Sequence, residues 1–112
     1  MKRDFIVYLK DMIDSSSKGI NFISNMTYDE FIKDEKTQYA LIRAIEVIGK
    51  ASTKILKNIK DKFSEIPWRE VSRMRNKLIH DYFGVNLKVV WKTGIEDLPD
   101  LKSKLQKMIE SL

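Results

Sequence analysis

The sequence predicts an all-α helical bundle of about five or six helices with short links, built as one domain over residues 1–112. Apolar residues recur at steps of three and four along nearly the whole chain, which lays them on one face of successive helices. No alternating strand of useful length appears, nor any internal repeat or low-complexity tract. Gly and Pro are scarce, 4 and 2, which disfavours a loop-rich chain. Hydrophobic residues at 43% exclude intrinsic disorder. At 112 residues a single core buries roughly two-thirds of the surface the unfolded chain exposes, enough to fold with little stability to spare.

Each element follows from its own signals. In the first segment Phe5, Ile6, Leu9, Met12 and Ile13 share a helix face. Ser15, Ser16, Ser17 and Gly19 are expected to weaken that helix before Ile20, Phe22 and Ile23 resume the apolar patch. Thr27-Tyr28-Asp29-Glu30 has the capping-box pattern and predicts a short helical turn. Asp34 is the expected cap of the next and longest helix, whose stripe is Leu41, Ile45, Ile48, Ser52, Ile55 and Ile59. Gly49 interrupts it at some cost in propensity, which points to a close helix crossing. Pro67 suits a first helical position, and the helix it opens is expected to reach about Phe83, with Gly84 ending it. Asn86 caps a further helix carrying Leu87, Val90, Trp91 and Ile95. Asp97 and Pro99 predict a break or kink before a last helix with the stripe Leu98, Leu101, Leu105, Met108 and Leu112.

Composition narrows the chemistry. With no Cys and a single His, His80, the chain has no thiolate nucleophile, no disulfide framework and no means of building a His-rich zinc site by itself. No apolar run approaches the roughly 20 residues of a membrane span. The basic, then apolar, start is interrupted by Lys10 and Asp11 before a signal-peptide core forms, so a cytoplasmic, reducing compartment is expected. A net charge of +5 suits a nucleic-acid partner as well as an ordinary solvated surface. The same two readings apply to Lys102, Lys104 and Lys107 on the last helix.

The helix from Pro67 departs from plain packing. At 100° per residue, Trp68, Val71, Met74, Leu78, Ile79, Tyr82 and Phe83 form one broad apolar arc, and Arg75 falls near its middle. Arg69, Arg73, Asn76 and His80 share the neighbouring face, at i, i+4, i+7 and i+11. A guanidinium amid a core-facing stripe is costly unless it is paired or lines a cleft. Either Arg75 meets a buried carboxylate, with Glu46 the candidate, or it faces phosphate at a helix or subunit seam. His80 reads equally as a helix-end capping residue, and Asn76 one turn earlier is placed to hydrogen-bond it. Ser72, two turns before His80, is poorly placed for a Ser–His pair, and there is no phosphate-cradling Gly loop or nucleophile elbow.

The stretch Met74-Arg75-Asn76-Lys77-Leu78-Ile79-His80-Asp81-Tyr82-Phe83-Gly84-Val85-Asn86 resembles the signature of the HepT-like toxins of the HEPN superfamily: Arg, four residues, His, one residue, Tyr. Ile66-Pro67-Trp68, Val90-Trp91 through Leu98-Pro99, and Arg43 to Gly49 are similar too, while residues before about position 25 fit more loosely. The resemblance implies a HEPN-like homodimer that cleaves RNA without a metal ion or other cofactor. Arg75 and His80 would be catalytic and Asn76 a polar support; from their helix positions, Glu46 and Arg73 are candidates for further support. It also implies a toxin–antitoxin pair, in which a nucleotidyltransferase-fold antitoxin transfers AMP to Tyr82. The rival reading is a non-catalytic helical subunit that binds nucleotide or docks a nucleotidyltransferase; Arg75 and His80 occurring together favours the enzyme. A purely structural bundle leaves Arg75 unexplained unless a carboxylate pairs with it.

Overall fold

The computed structural model describes the backbone of residues 2–80 and 84–112 and the side chains of residues 5–78 and 84–112. Its elements are α1 (Lys2–Ile23), α2 (Tyr28–Phe31), α3 (Glu35–Thr53), α4 (Lys57–Lys62), α5 (Trp68–His80), α6 (Leu87–Lys92), a π turn (Thr93–Asp97) and α7 (Leu98–Glu110). Because α6, the π turn and α7 follow without a gap, the described residues form six helical rods and no strand. The architecture is the all-α bundle the periodicity predicts. Among the described residues no helix is long and apolar enough to cross a membrane.

The caps fall where the sequence puts them. Thr27 accepts from the Glu30 N–H through its hydroxyl while the Glu30 carboxylate accepts from the Thr27 N–H, which starts α2. Asp34 Oδ1 accepts from the Thr37 N–H at 3.0 Å to start α3, and that hydrogen bond holds the Asp34 carboxyl below its usual range. Asn86 Oδ1 accepts from the N–H groups of Lys88 and Val89 and starts α6. Each cap satisfies donors that a helix start would otherwise leave open.

Four expectations need correction. The Ser15–Gly19 stretch does not weaken α1, which is continuous over 22 residues and longer than the 19 of α3. Ser15 and Ser16 are buried, and Ser16 Oγ donates to the Met12 carbonyl at 2.8 Å, so its polarity is absorbed within the helix. A Cβ on Gly19 would stand 2.7 Å from Leu98 Cδ1 and 3.3 Å from Leu41 Cδ1, so the small residues form the seam by which α1 packs on α3 and α7. Second, the stripe through Ile59 is not one helix. The Thr53 hydroxyl donates to the Lys50 carbonyl, α3 stops, and Leu56 turns extended before α4. Ile55 remains buried in that turn, so the stripe continues in space although the helix does not.

Third, of the break or kink expected at Asp97 and Pro99, no break occurs. Pro99 has no N–H to return to the preceding turn, and the chain widens into a π turn just before it instead of stopping. Gly94 in that turn admits neighbours, since a Cβ there would lie 2.6 Å from Ile23 Cδ1 and 3.1 Å from Leu41 Cδ2. Fourth, Leu98, Leu101, Leu105 and Met108 are buried as expected, but Leu112 is 53% exposed, beyond the last helical turn.

The core runs between α1, α3, α7 and the buried edge of α5, around Leu9, Met12, Leu41, Ile45, Ile48, Val71, Leu98 and Leu105. Phe31 of α2 packs on Trp91 of α6, with ring centroids 5.2 Å apart, which ties the short first turn to the far end of the chain. Leu41 is fully buried where α1, α3 and the π turn meet. Leu41→Ala is therefore expected to lower the unfolding free energy by about 2–5 kcal/mol. Leu112→Ala is expected to stay within about 0.5 kcal/mol. Urea unfolding followed by circular dichroism measures both.

Candidate functional site

The start of α5 is fixed first. Ile66 is buried, the Trp68 indole N–H donates to the Phe63 carbonyl at 3.1 Å, and Lys60 lies 5.6 Å from the centre of the Trp68 ring. The Pro67 carbonyl accepts from the Val71 N–H, so Pro67 stands immediately before the first helical residue, one position earlier than expected. From this anchor α5 crosses α3 at Gly49. A Cβ on Gly49 would overlap the Arg75 side chain, 2.7 Å from its Cδ and 2.8 Å from its Cγ. The glycine that the sequence marks as a close crossing thus receives the aliphatic stem of Arg75.

Arg75 is half-buried, as is Glu46 one turn earlier on α3. Among the described residues the ion pairs are Lys18–Asp14, Lys57–Asp61 and Lys104–Asp100, and none joins Arg75 to Glu46. The apolar position of Arg75 is explained by its stem, which packs on Gly49 and leaves the residue half-buried rather than enclosed. Asn76 and Arg73 are exposed on the adjoining outer face of α5. His80 is the last residue of α5, two turns beyond Arg73 on the same face by helical register. Its side chain lies outside the described residues, as do that of Ile79 and all of Tyr82 and Phe83, so the expected reach of the helix to Phe83 and the position of Tyr82 fall there too. No group of three or more His, Cys, Asp or Glu side chains is placed to hold a metal ion among the described residues.

A second feature is not legible in the sequence. On the other side of α5 an open groove of about 410 Å³ separates it from α6, the π turn and α7. Val71, Met74, Leu98 and Leu101 supply apolar lining, with Glu70, Arg73 and Lys77 on the α5 bank and Asp97, Asp100 and Lys104 on the opposite one. Partial loss of water raises the Asp97 carboxyl above its usual range, and Glu96 pushes it the same way.

The family described as "Ribonuclease HepT-like" matches residues 12–108. The chain belongs to the HepT-like ribonuclease family. A protein of Thermococcus cleftensis named "Probable ribonuclease HepT" is 47% identical over 108 residues, covering 96% of this chain and 98% of that one. A Methanocaldococcus jannaschii protein named "Putative RNase MJ1216" is 42% identical, covering 99% of this chain and 92% of its own. A Caldanaerobacter subterraneus protein named "Putative RNase TTE0752" is 32% identical over 92% of each chain. No solved structure gives a significant match. The HepT-like match spans α3 and α5 entire, and with them the Gly49–Arg75 crossing.

The crossing makes a stability prediction. An added methyl at Gly49 gains about 1 kcal/mol of helix propensity but forces α3 and α5 apart, an overpacking cost of about 1–3 kcal/mol. Gly49→Ala is expected to lower the thermal midpoint, whereas a propensity-limited site would raise it. Differential scanning calorimetry decides between them.

Proposed function

We propose that this chain is a metal-independent endoribonuclease, the toxin of a toxin–antitoxin pair, cleaving RNA in the cleft of a symmetric homodimer. The observation that carries the reading is Arg75. In a chain of the HepT-like ribonuclease family it is held half-buried on Gly49, on the helix that ends at His80. RNA brings its own nucleophile, so no protein nucleophile or metal-bound water is needed. The 2′-oxygen attacks the adjacent phosphorus, the bond from phosphorus to the 5′-oxygen breaks, and a 2′,3′-cyclic phosphate and a 5′-hydroxyl result. His80 takes the proton from the 2′-hydroxyl or returns one to the 5′-oxygen. Arg75 neutralises the charge that builds on the non-bridging oxygens.

One His per chain serves one proton transfer at a time, and a two-fold seam brings two His and two Arg to one cleft. Asn76 fixes the imidazole or the phosphate beside it, and Glu46 and Arg73 flank the same faces. Control falls to a nucleotidyltransferase-fold antitoxin that transfers AMP from ATP to Tyr82, placing bulk and negative charge where substrate phosphate must sit. A toxin that acts on the RNA of its own cell would work in the cytoplasm.

Cleavage is expected to persist in EDTA and to leave 2′,3′-cyclic ends, read by mass spectrometry of the products. His80→Ala should lower the rate by about 10²–10⁴. Arg75→Met, which keeps the stem on Gly49 and removes the guanidinium, should also lose most activity while melting near the wild-type temperature. Full activity in His80→Ala, or loss in EDTA restored by magnesium, overturns the mechanism.

A further inference from the structure

The helix that carries Arg75 also concentrates the charge of the chain. Within its 13 residues α5 holds four basic side chains, Arg69, Arg73, Arg75 and Lys77, and one acidic, Glu70, a net +3 of the total +5. Arg75 is committed to the α3 crossing. The other three are exposed, and no ion pair among the described residues includes them. They stand at i, i+4 and i+8, a row with a rise of about 6 Å per step. That interval is close to the separation of successive phosphates along a nucleic-acid strand. Asn76 lies beside the row, and the register of the row leads to the His80 end of the helix. On the far bank of the adjacent groove Asp100 is paired with Lys104, and Asp97 repels a phosphodiester chain, which leaves the α5 face as its favoured path.

We propose that Arg69, Arg73 and Lys77 form a track that holds the backbone of single-stranded RNA along α5 and delivers it to the Arg75–His80 end. This rests on the ribonuclease reading and adds the path of the substrate. Phosphate contacts of this kind position a strand without reading its bases, so the track binds RNA of any sequence. They also release condensed counterions, which makes their number measurable from the salt dependence of binding.

The test uses the full chain with His80→Ala to prevent cleavage and a 5′-fluorescein-labelled oligouridylate as probe, with anisotropy titrations across a series of KCl concentrations. Each of Arg69→Gln, Arg73→Gln and Lys77→Gln should reduce the slope of log K against log salt by about 0.7, and the triple variant by about 2. Lys18→Gln, on α1 and paired with Asp14, serves as control and should leave the slope unchanged. In the otherwise wild-type chain the double variant Arg69→Gln, Lys77→Gln should raise KM for RNA and keep kcat. An unchanged slope in the triple variant, an equal fall in Lys18→Gln, or no RNA binding by the His80→Ala chain overturns the track. If wild type cleaves RNA but the slope ignores the three residues, the track fails and the ribonuclease reading stands. If the slope responds but wild type does not cleave, the reverse holds.

Discussion

The close crossing of α3 and α5 at Gly49 is the contact on which the rest of the arrangement depends. Two helices pack with axes about 8–10 Å apart according to the side chains between them. At this crossing one side contributes no Cβ and the other contributes the stem of Arg75. The methylenes of Arg75 thereby fill the crossing while the residue as a whole stays half-buried. A lysine stem could fill the same crossing but would present a point charge, without the planar fork that grips two phosphate oxygens. One packing event therefore sets both the approach of the helices and the path of the Arg75 stem between them.

The same device recurs about two turns earlier on α3. Gly19 of α1 and Gly94 of the π turn each receive aliphatic side chains from elsewhere, and Leu41 is pressed against both. This junction holds α1, α3 and the start of α7 together, and it leaves α5 attached chiefly through α3 and the Trp68 anchor. The groove between α5 and α7 is the consequence: α5 has one face on α3, and its basic outer face stays open.

Much of this was legible in the residues because it is local. The capping residues Thr27, Glu30, Asp34 and Asn86 act within three positions of themselves, and the stripe of α7 from Leu98 to Met108 needs only helical period. The readings that failed depend on partners distant in sequence. Ser15, Ser16 and Gly19 look like helix weakeners until Leu98 and Leu41 are brought against them. Asp97 and Pro99 look like a stop, yet a π turn absorbs the missing donor and the helix continues. For the site, the sequence supplied Arg75, Asn76 and His80 on one helix and marked Gly49 as a crossing. It could not show that Gly49 and Arg75 are the two halves of the same contact, because helical periodicity gives the face of a residue and not its partner.

The claim that the crossing aims Arg75 for chemistry is tested most directly by the RNA cleavage rate of Gly49→Ala, measured where circular dichroism shows the variant fully folded. Displacing a positioned group by about 1 Å typically costs about 10²-fold in rate. A loss of that order, with the helical signal intact, is what the account predicts. Cleavage at the wild-type rate would show that the Gly49–Arg75 contact serves packing alone, and would contradict it.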